Sequence, residues 1–263
     1  MSADIHPTAI IEPGARIADT ARIGPYCVIG PDVVIEAGSV LHSAVTLTGR
    51  TYLGPDCEVF SGTVIGAQPQ IIGFEALPNS RVEIGARTIL REHVTVHAGS
   101  KLQNGLTFIG ADCLMMVGVH IAHDCYVGDK CVFANQVTLA GNVHIEEQVW
   151  LGGVVAIAQH TRIGRHAFSA GGAIITASII PYGYVSGNRA KLVGLNLVGL
   201  KRRGYSREAI RTLRNAYRIL FAHEGSFSER IADTRAAFSG SEEVGHILEF
   251  IEAYDKQSLV QTA

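Results

Sequence analysis

The 263-residue sequence is poor in charge, in aromatic residues and in long apolar runs. Charged residues make up only 17% of it and aromatic residues 7%, with a single tryptophan. No uninterrupted apolar run reaches the roughly 18 residues of a membrane-spanning helix, and no basic-then-apolar leader opens the chain. P-loop and dinucleotide-binding glycine motifs are absent as well. We therefore expect a soluble, cytoplasmic protein without stable membrane insertion.

The cysteines do not indicate a disulfide framework, because their number is odd. Each stands two positions before an apolar residue of the repeat described below, in a slot that elsewhere holds Ala, Ser or Thr. A slot of this kind takes small inward side chains, so we expect free, reduced core residues rather than nucleophiles. This usage favours the cytosol. The five are Cys27, Cys57, Cys113, Cys125 and Cys131.

The most regular feature of the sequence is a hexad repeat. An apolar residue recurs every six positions from Ile109 to Ile163, and eleven such positions run in one phase from Ile5 to Ile65. Neither the 3.6-residue period of a helix nor the two-residue period of a strand explains this spacing. A short strand followed by a corner does, and three such strands form an 18-residue coil of a parallel β-helix. The 29 glycines suit many tight corners.

Two interruptions shift the phase of the repeat by one residue each. The first is the segment 68–80, which contains two prolines, and the second lies around 99–105. We interpret both as excursions from the coil, and excursions from a solenoid often help to form a binding site. Between them the pattern is continued by Ile84, Leu90, Val96 and Leu102.

Beyond Gly187 the pattern becomes helical. Ser206 is an expected N-cap for a helix that ends by Gly225, and a second helix is predicted from about Ser228. A third is marked by Val244, Ile247, Leu248 and Ile251. We therefore predict a mainly β fold, with a parallel β-helix in residues 1–187 and a C-terminal α-helical domain in 188–263 that caps the open end of the solenoid.

The basic residues are concentrated in one segment. Residues 189–218 contain nine Lys or Arg and one Glu, whereas the chain on either side is acidic. Within the first predicted helix, Arg207, Arg211, Arg214 and Arg218 recur on one face, which we call the basic stripe. The stripe would suit an acidic protein or a phosphate-bearing ligand, although a merely solvated face has the same pattern. Nucleic acid is a poorer candidate, because no aromatic platform accompanies the charge.

The hexad that contains His123 is the best candidate for chemistry. Asp124 adjoins it, and a carboxylate can orient an imidazole and support it as a general base. Gly141 lies 18 residues further on, so it should stack directly over His123, where its N–H could donate to an oxyanion. An ordinary surface histidine above an ordinary corner would show the same spacing. The other nearby histidines are not spaced from His123 by multiples of 18, so we expect no metal site within one chain.

Several segments resemble one enzyme family closely. They are His120–Cys125, Leu139–Gly141, Gly194–Asn196, Gly199–Gly204 and Ser206–Ile210. All of them resemble the acyl-ACP–UDP-N-acetylglucosamine O-acyltransferases, the enzymes of the first step of lipid A biosynthesis, and the resemblance covers nearly the whole chain. It implies a left-handed β-helix, a homotrimer with active sites between subunits, and no cofactor other than the phosphopantetheine of the acyl carrier protein that carries the acyl donor.

The resemblance also implies the roles of individual residues. His123 would deprotonate the sugar 3-hydroxyl, Asp124 would support it, and the Gly141 N–H would receive the oxyanion. Gly171 would leave room for a longer acyl chain, and the basic stripe would receive the acidic carrier protein. The expected substrate-contacting positions are Gln70, His120, Asn142, Gln159, Gly171, Asn196, Arg202 and Arg203.

The sequence departs from the family pattern in the part that would surround the nucleotide sugar, at Gly73, Asn142, Ala158, Arg189 and Val198. Three alternatives stay open, the first two because of these departures. One is N-acylation of a UDP-sugar with a 3-amino group. Another is a non-catalytic scaffold that binds the carrier protein. The third is a trimeric metal-dependent hydratase built on the same β-helix.

Overall fold

The computed structural model describes residues 3–74, 77–101, 103–253 and 258–262. The predicted repeat position Leu102 lies outside these residues. The described chain forms the expected left-handed parallel β-helix, followed by four helices.

The strands are short because each hexad contributes only two residues of regular pairing between corners. The first half comprises β1 (Asp4–Ile5), β2 (Ile10–Ile11), β3 (Arg16–Ile17), β4 (Arg22–Ile23), β5 (Val28–Ile29), β6 (Val34–Ile35), β7 (Val40–Leu41), β8 (Thr46–Leu47), β9 (Arg50–Leu53), β10 (Glu58–Val59), β11 (Val64–Ala67), β12 (Arg81–Ile84), β13 (Ile89–Leu90) and β14 (Thr95–His97). The second half comprises β15 (Leu106–Ile109), β16 (Leu114–Met115), β17 (His120–Ile121), β18 (Tyr126–Val127), β19 (Val132–Phe133), β20 (Thr138–Leu139), β21 (His144–Ile145), β22 (Trp150–Leu151), β23 (Ala156–Ile157), β24 (Arg162–Ile163), β25 (Phe168–Ser169), β26 (Ile174–Ile175), β27 (Gly183–Ser186) and β28 (Lys191–Leu195).

Every third strand pairs in parallel, which produces three sheets around one core. Sheet 1 runs from β1 through β25 to β27 and β28, sheet 2 from β2 to β26, and sheet 3 from β3 to β24. Residues 18 apart are partners in the regular coils, as in His120 with Thr138. The second residue of almost every strand points inward and is buried, and the five cysteines are all free and buried beside these residues. The hexad pattern thus predicted both the sheets and the core.

Both excursions occur at the same corner, the one between sheets 2 and 3. The first joins β11 to β12 and the second joins β14 to β15. Because the connection lies outside the coil, the pairing across it is offset, and Thr95 pairs with His120, 25 residues away. We call this edge of the prism the His123 corner, since His123 lies on it one coil further along.

The helical part begins with α1 (Leu197–Arg202), a short helix that the sequence analysis did not predict. It is followed by α2 (Arg207–Leu220), α3 (Phe227–Ala237) and α4 (Glu242–Glu252). Ser206 caps α2 as predicted, with its side chain accepting the N–H of Ala209. The predicted apolar face of the last helix is also confirmed, since Val244, Ile247 and Leu248 are buried.

The division of the chain into two domains at residues 187 and 188 stays a prediction. Sheet 1 extends past residue 187. Strand β28 pairs antiparallel with β27, so regular β structure continues to Leu195. The chain also returns to the β-helix near its end, where Leu259 bridges to Ser178 and Thr262 to Leu192. No helix in the described ranges is long and apolar enough to cross a bilayer.

Candidate active site

The central feature of the site is a buried His–Asp pair at the His123 corner. Nδ1 of His123 lies 2.7 Å from Oδ2 of Asp124, and the two side chains are only 9% and 1% exposed. Asp124 occupies the left-handed region at φ 60°, which aspartate tolerates better than most residues. Because the carboxylate is an acceptor, Nδ1 carries the proton of the neutral imidazole and Nε2 keeps its lone pair. The ring is therefore oriented as a base through Nε2.

Gly141 stacks on His123 one coil further along, as the spacing predicted. A Cβ built at Gly141 would lie 2.5 Å from both Cε1 and Nε2 of His123. Its φ is not positive, so the glycine is required by the close approach of the imidazole and not by backbone strain. Its neighbours Ala140 and Asn142 donate their N–H groups within the coil stack, but the Gly141 N–H has no acceptor among the described residues. It is therefore available to a ligand.

The surroundings of His123 contain two further imidazoles, the buried His97 and the half-buried His120. His97 and His120 meet edge to face with ring centroids 4.9 Å apart, and Nδ1 of His120 is 2.7 Å from Oγ1 of Thr95. Burial lowers the pKa of His120, and burial beside His120 and His123 lowers the pKa of His97 to about 4. Both rings are therefore neutral near pH 7. Nδ1 of His97 is buried without a hydrogen-bond partner among the described residues.

Four of the predicted site residues lie along the His123 corner. Gln159 is exposed one coil beyond Gly141, and Gln70 is exposed on the first excursion. Asn142 adopts φ 60°, and its buried Oδ1 has no partner in the part of the chain that the structure describes. His120 lies on β17, immediately before the corner. This corner therefore brings the predicted base, the predicted oxyanion donor and these four polar side chains to one edge.

The remaining predicted residues lie elsewhere on the same chain. Gly171 is exposed at the corner between sheets 1 and 2, where a Cβ would approach the Gly153 carbonyl oxygen at 3.2 Å. Asn196 is the N-cap of α1, and its amide is used within the chain: Oδ1 accepts from Gly199 N–H and Nδ2 donates to the His166 carbonyl. Arg203 donates to the Gln148 carbonyl at 2.8 Å, and burial lowers its pKa.

A cavity of about 660 Å³ separates α1 from the outer face of sheet 1. Its walls are mainly aromatic and aliphatic, and the exposed Arg202 and the half-buried Arg203 supply its positive charge. Val198, one of the departures from the family pattern, lines it and is 62% exposed. The apolar lining comes from Trp150, Phe168, Tyr184, Leu195 and Leu197. The cavity therefore lies on sheet 1, whereas His123 lies at the corner between sheets 2 and 3.

The basic stripe is present as predicted on α2. Its four arginines are exposed, and none of them makes an ion pair with a described carboxylate. The opposite face of α2 is buried through Ile210, Leu213, Ala216 and Leu220. The stripe is thus a surface of uncompensated positive charge on an anchored helix.

Two other expectations concern the cysteines and metal ligands. Burial raises the pKa of the Cys125 thiol, which follows the His–Asp pair directly, to about 12, so this thiol stays protonated and non-nucleophilic. Across the described residues of this single chain, no group of three or more His, Cys, Asp or Glu side chains is arranged to hold a metal ion.

The site has the parts that acyl transfer requires, because an oriented imidazole base lies beside a backbone N–H that has no acceptor among the described residues. On this hexad-repeat β-helix, these parts define the class of the protein, which is an acyltransferase. Comparison with known proteins specifies the family. The family model described as UDP N-acetylglucosamine O-acyltransferase, domain 2, matches residues 179–260, and one described as the GMPPB C-terminal domain matches residues 5–108.

Curated relatives extend the similarity to nearly the full chain. An acyl-[acyl-carrier-protein]–UDP-N-acetylglucosamine O-acyltransferase from Caulobacter vibrioides is 49% identical over 94% of each chain. The enzyme of that name from Rhizobium johnstonii is 40% identical over 98% of this chain and 94% of its own. The structure of LpxA from Acinetobacter baumannii superposes with a TM-score of 0.93 at 36% identity, covering 98% and 99% of the two chains. The chain belongs to the acyl-ACP–UDP-N-acetylglucosamine O-acyltransferase family.

Sequence reasoning did not identify the groups that hold Asp124. Ser100 donates to its carboxylate, and the hydroxyl of Thr107 accepts the Asp124 backbone N–H at 2.9 Å. Both come from around the second excursion. The one-residue slip of the repeat was the only indication of this excursion in the sequence.

Proposed function

We propose that this protein transfers a 3-hydroxyacyl group from acyl carrier protein to the 3-hydroxyl of UDP-N-acetylglucosamine, with His123 as the general base. One observation carries the proposal: the buried His123–Asp124 pair lies directly beside Gly141, whose N–H has no acceptor among the described residues. The full-length similarity to curated O-acyltransferases supports the substrates.

The steps follow from the orientation of the imidazole. Nε2 of His123 takes the proton of the sugar hydroxyl, and the resulting oxygen nucleophile attacks the thioester carbonyl carbon. The tetrahedral oxyanion accepts a hydrogen bond from the Gly141 N–H, which is already in place and needs no reorganisation. Collapse of this intermediate breaks the carbon–sulfur bond. The departing thiolate of the carrier's phosphopantetheine then receives the proton from the His123 imidazolium, and no further cofactor is needed.

The supporting residues have separate roles in this proposal. His120, Gln159, Asn142 and Gln70 contact the substrates along the His123 corner, with His120 as a neutral imidazole. Gly171 leaves space for the end of a longer acyl chain, because any side chain at this exposed corner would occupy that space. Arg202 and Arg203 attract the phosphates, and Asn196 fixes the start of the helix that carries them.

We infer a homotrimer with its sites between subunits. The support is the distribution of the predicted residues: the base lies on one corner, Gly171 on a second, and the cavity beside α1 on sheet 1. Closed three-fold symmetry would bring the corner of one subunit against the cavity side of its neighbour. The acidic carrier protein would dock on the basic stripe of α2, which has charge but no partner among the described residues.

The test is a mass-spectrometric transfer assay. UDP-N-acetylglucosamine and its 3-amino analogue are each incubated with a panel of 3-hydroxyacyl carrier proteins of different chain length. Acylation of the hydroxyl sugar supports the proposal. Product with the amino sugar alone would make N-acylation the function and the altered positions around Val198 and Asn142 its cause. Carrier binding without any product would favour the scaffold instead.

A further inference from the structure

The second excursion contributes a residue to the catalytic centre that the hexad repeat could not supply. It leaves the coil after β14 and brings Ser100 to the Asp124 carboxylate. Gly99 permits the approach, because a Cβ there would overlap the Gly105 backbone. Ser100 is 1% exposed, so its contacts with Asp124 are shielded from water.

The contacts of Ser100 fix both oxygens of the carboxylate. Its N–H donates to Oδ1 at 2.8 Å, and its hydroxyl lies 2.6 Å from Oδ2. Oδ2 is also the oxygen that accepts from Nδ1 of His123 at 2.7 Å. A buried carboxylate requires such donors, and without them it would rotate toward whatever donor remained. The hydroxyl of Ser100 therefore determines which oxygen faces the imidazole, and through it the direction of Nε2.

We propose that Ser100 is a positioning residue for the acyl transfer, holding Asp124 so that His123 keeps its reactive orientation. The residue acts through Asp124 and does not touch the substrate. This inference rests on the proposed function, since it requires that His123 be the base. A purely structural alternative is that Ser100 only anchors the excursion to the coil.

A double-mutant cycle separates the two roles, because a residue that acts through Asp124 loses its effect when Asp124 is absent. The variants are Ser100→Ala, Asp124→Gly and the double variant; glycine is chosen because position 124 has a positive φ. Ser39→Ala is the matched control. Ser39 is another fully buried serine, and its hydroxyl donates to the Gly54 carbonyl at 2.8 Å, far from His123 along the coil stack.

The expected result is that Ser100→Ala lowers kcat by about 10- to 100-fold, with the KM of both substrates within about twofold of wild type. In the Asp124→Gly background the same substitution changes kcat by less than about threefold. Ser39→Ala retains the kcat of wild type. All four variants are checked by thermal denaturation, because loss of the fold would lower the active fraction and not kcat per folded enzyme.

Three outcomes would overturn the inference. If the wild-type enzyme is active and Ser100→Ala has the same kcat, the Ser100 hydroxyl has no role in the reaction. If Ser100→Ala lowers kcat by the same factor in wild type and in Asp124→Gly, the effect of Ser100 does not pass through Asp124. Wild-type enzyme that transfers no acyl group to either sugar would overturn the proposed function itself, and the inference with it.

Discussion

Replacing Gly141 by alanine tests the geometry of the site without removing any functional group. The variant keeps the backbone N–H, the imidazole and the carboxylate, and alanine accommodates this φ without strain. The added Cβ would lie 2.5 Å from Nε2 of His123, whereas nonbonded carbon contacts are comfortable near 3.5 Å. The imidazole must therefore move by about 1 Å, which breaks its alignment with Asp124.

A displacement of this size is expected to lower kcat by roughly 100-fold, since reacting groups lose about that factor when misplaced by 1 Å. The assay is the rate of acyl-UDP-N-acetylglucosamine formation at saturating substrates, followed by mass spectrometry. The melting temperature should change little, because the group displaced is a single side chain at a corner. Gly30→Ala is the control: it lies at the same corner five coils before Gly141, and its Cβ would meet neighbours at an ordinary 3.4 Å.

The reasoning is refuted if Gly141→Ala retains kcat within about twofold of wild type while remaining folded. That result would mean that the imidazole of His123 is not held near the reacting atoms by this contact. A loss in Gly30→Ala of the same size would instead assign the effect to the β-helix as a whole.

Three further predictions concern the acyl chain, the carrier protein and pH. Gly171→Met should shift the preferred acyl donor to a shorter chain, because the side chain fills space at an exposed corner. Across a donor panel, the ratio of kcat/KM for short and long donors should change by tenfold or more. Unchanged selectivity would contradict the role of Gly171. The double variant Arg211→Glu/Arg214→Glu should raise the KM for acyl carrier protein about tenfold at low salt and leave the KM for the sugar unchanged. Equal changes in the two KM values would contradict the basic stripe as a docking surface. Burial, aided by the charges of Arg203 and Arg165, lowers the pKa of His166 to about 4, below the roughly 6.5 of an unfolded histidine. Because the unfolded state binds the proton first, stability should decline as pH falls from about 6.5 to 4. The melting temperature of His166→Asn should fall less steeply over this range than that of wild type, with the exposed His160→Asn as control.

The sequence predicted the β-helix because its period is set by the fold itself. Each inward slot must hold a side chain that fits the core, so Ile109, Met115 and the residues that follow them reveal the coils directly. The same 18-residue period predicted the contact between His123 and Gly141, since parallel coils stack residues at a fixed offset. Local capping chemistry likewise located α2 from Ser206.

The period could not reveal contacts that arise where the coil is interrupted. Ser100 reaches Asp124 across an irregular connection, whose path depends on tertiary packing rather than on spacing. The short helix α1 escaped prediction because its six residues carry too little periodicity to recognise. Gly171 and Arg202 were expected at the site, but one chain leaves them on surfaces other than the His123 corner. In the homotrimer that we propose, a neighbouring subunit would bring them to that corner.

The most direct test of the central claim is the acyl-transfer rate of His123→Ala measured beside wild type. General-base catalysis accounts for about 100- to 10,000-fold in rate, so kcat should fall by at least 100-fold while the KM of the sugar and the oligomeric state are retained. The exposed His223→Ala variant is the control and should match wild type. A folded His123→Ala enzyme with kcat near that of wild type would contradict the assignment of His123 as the base.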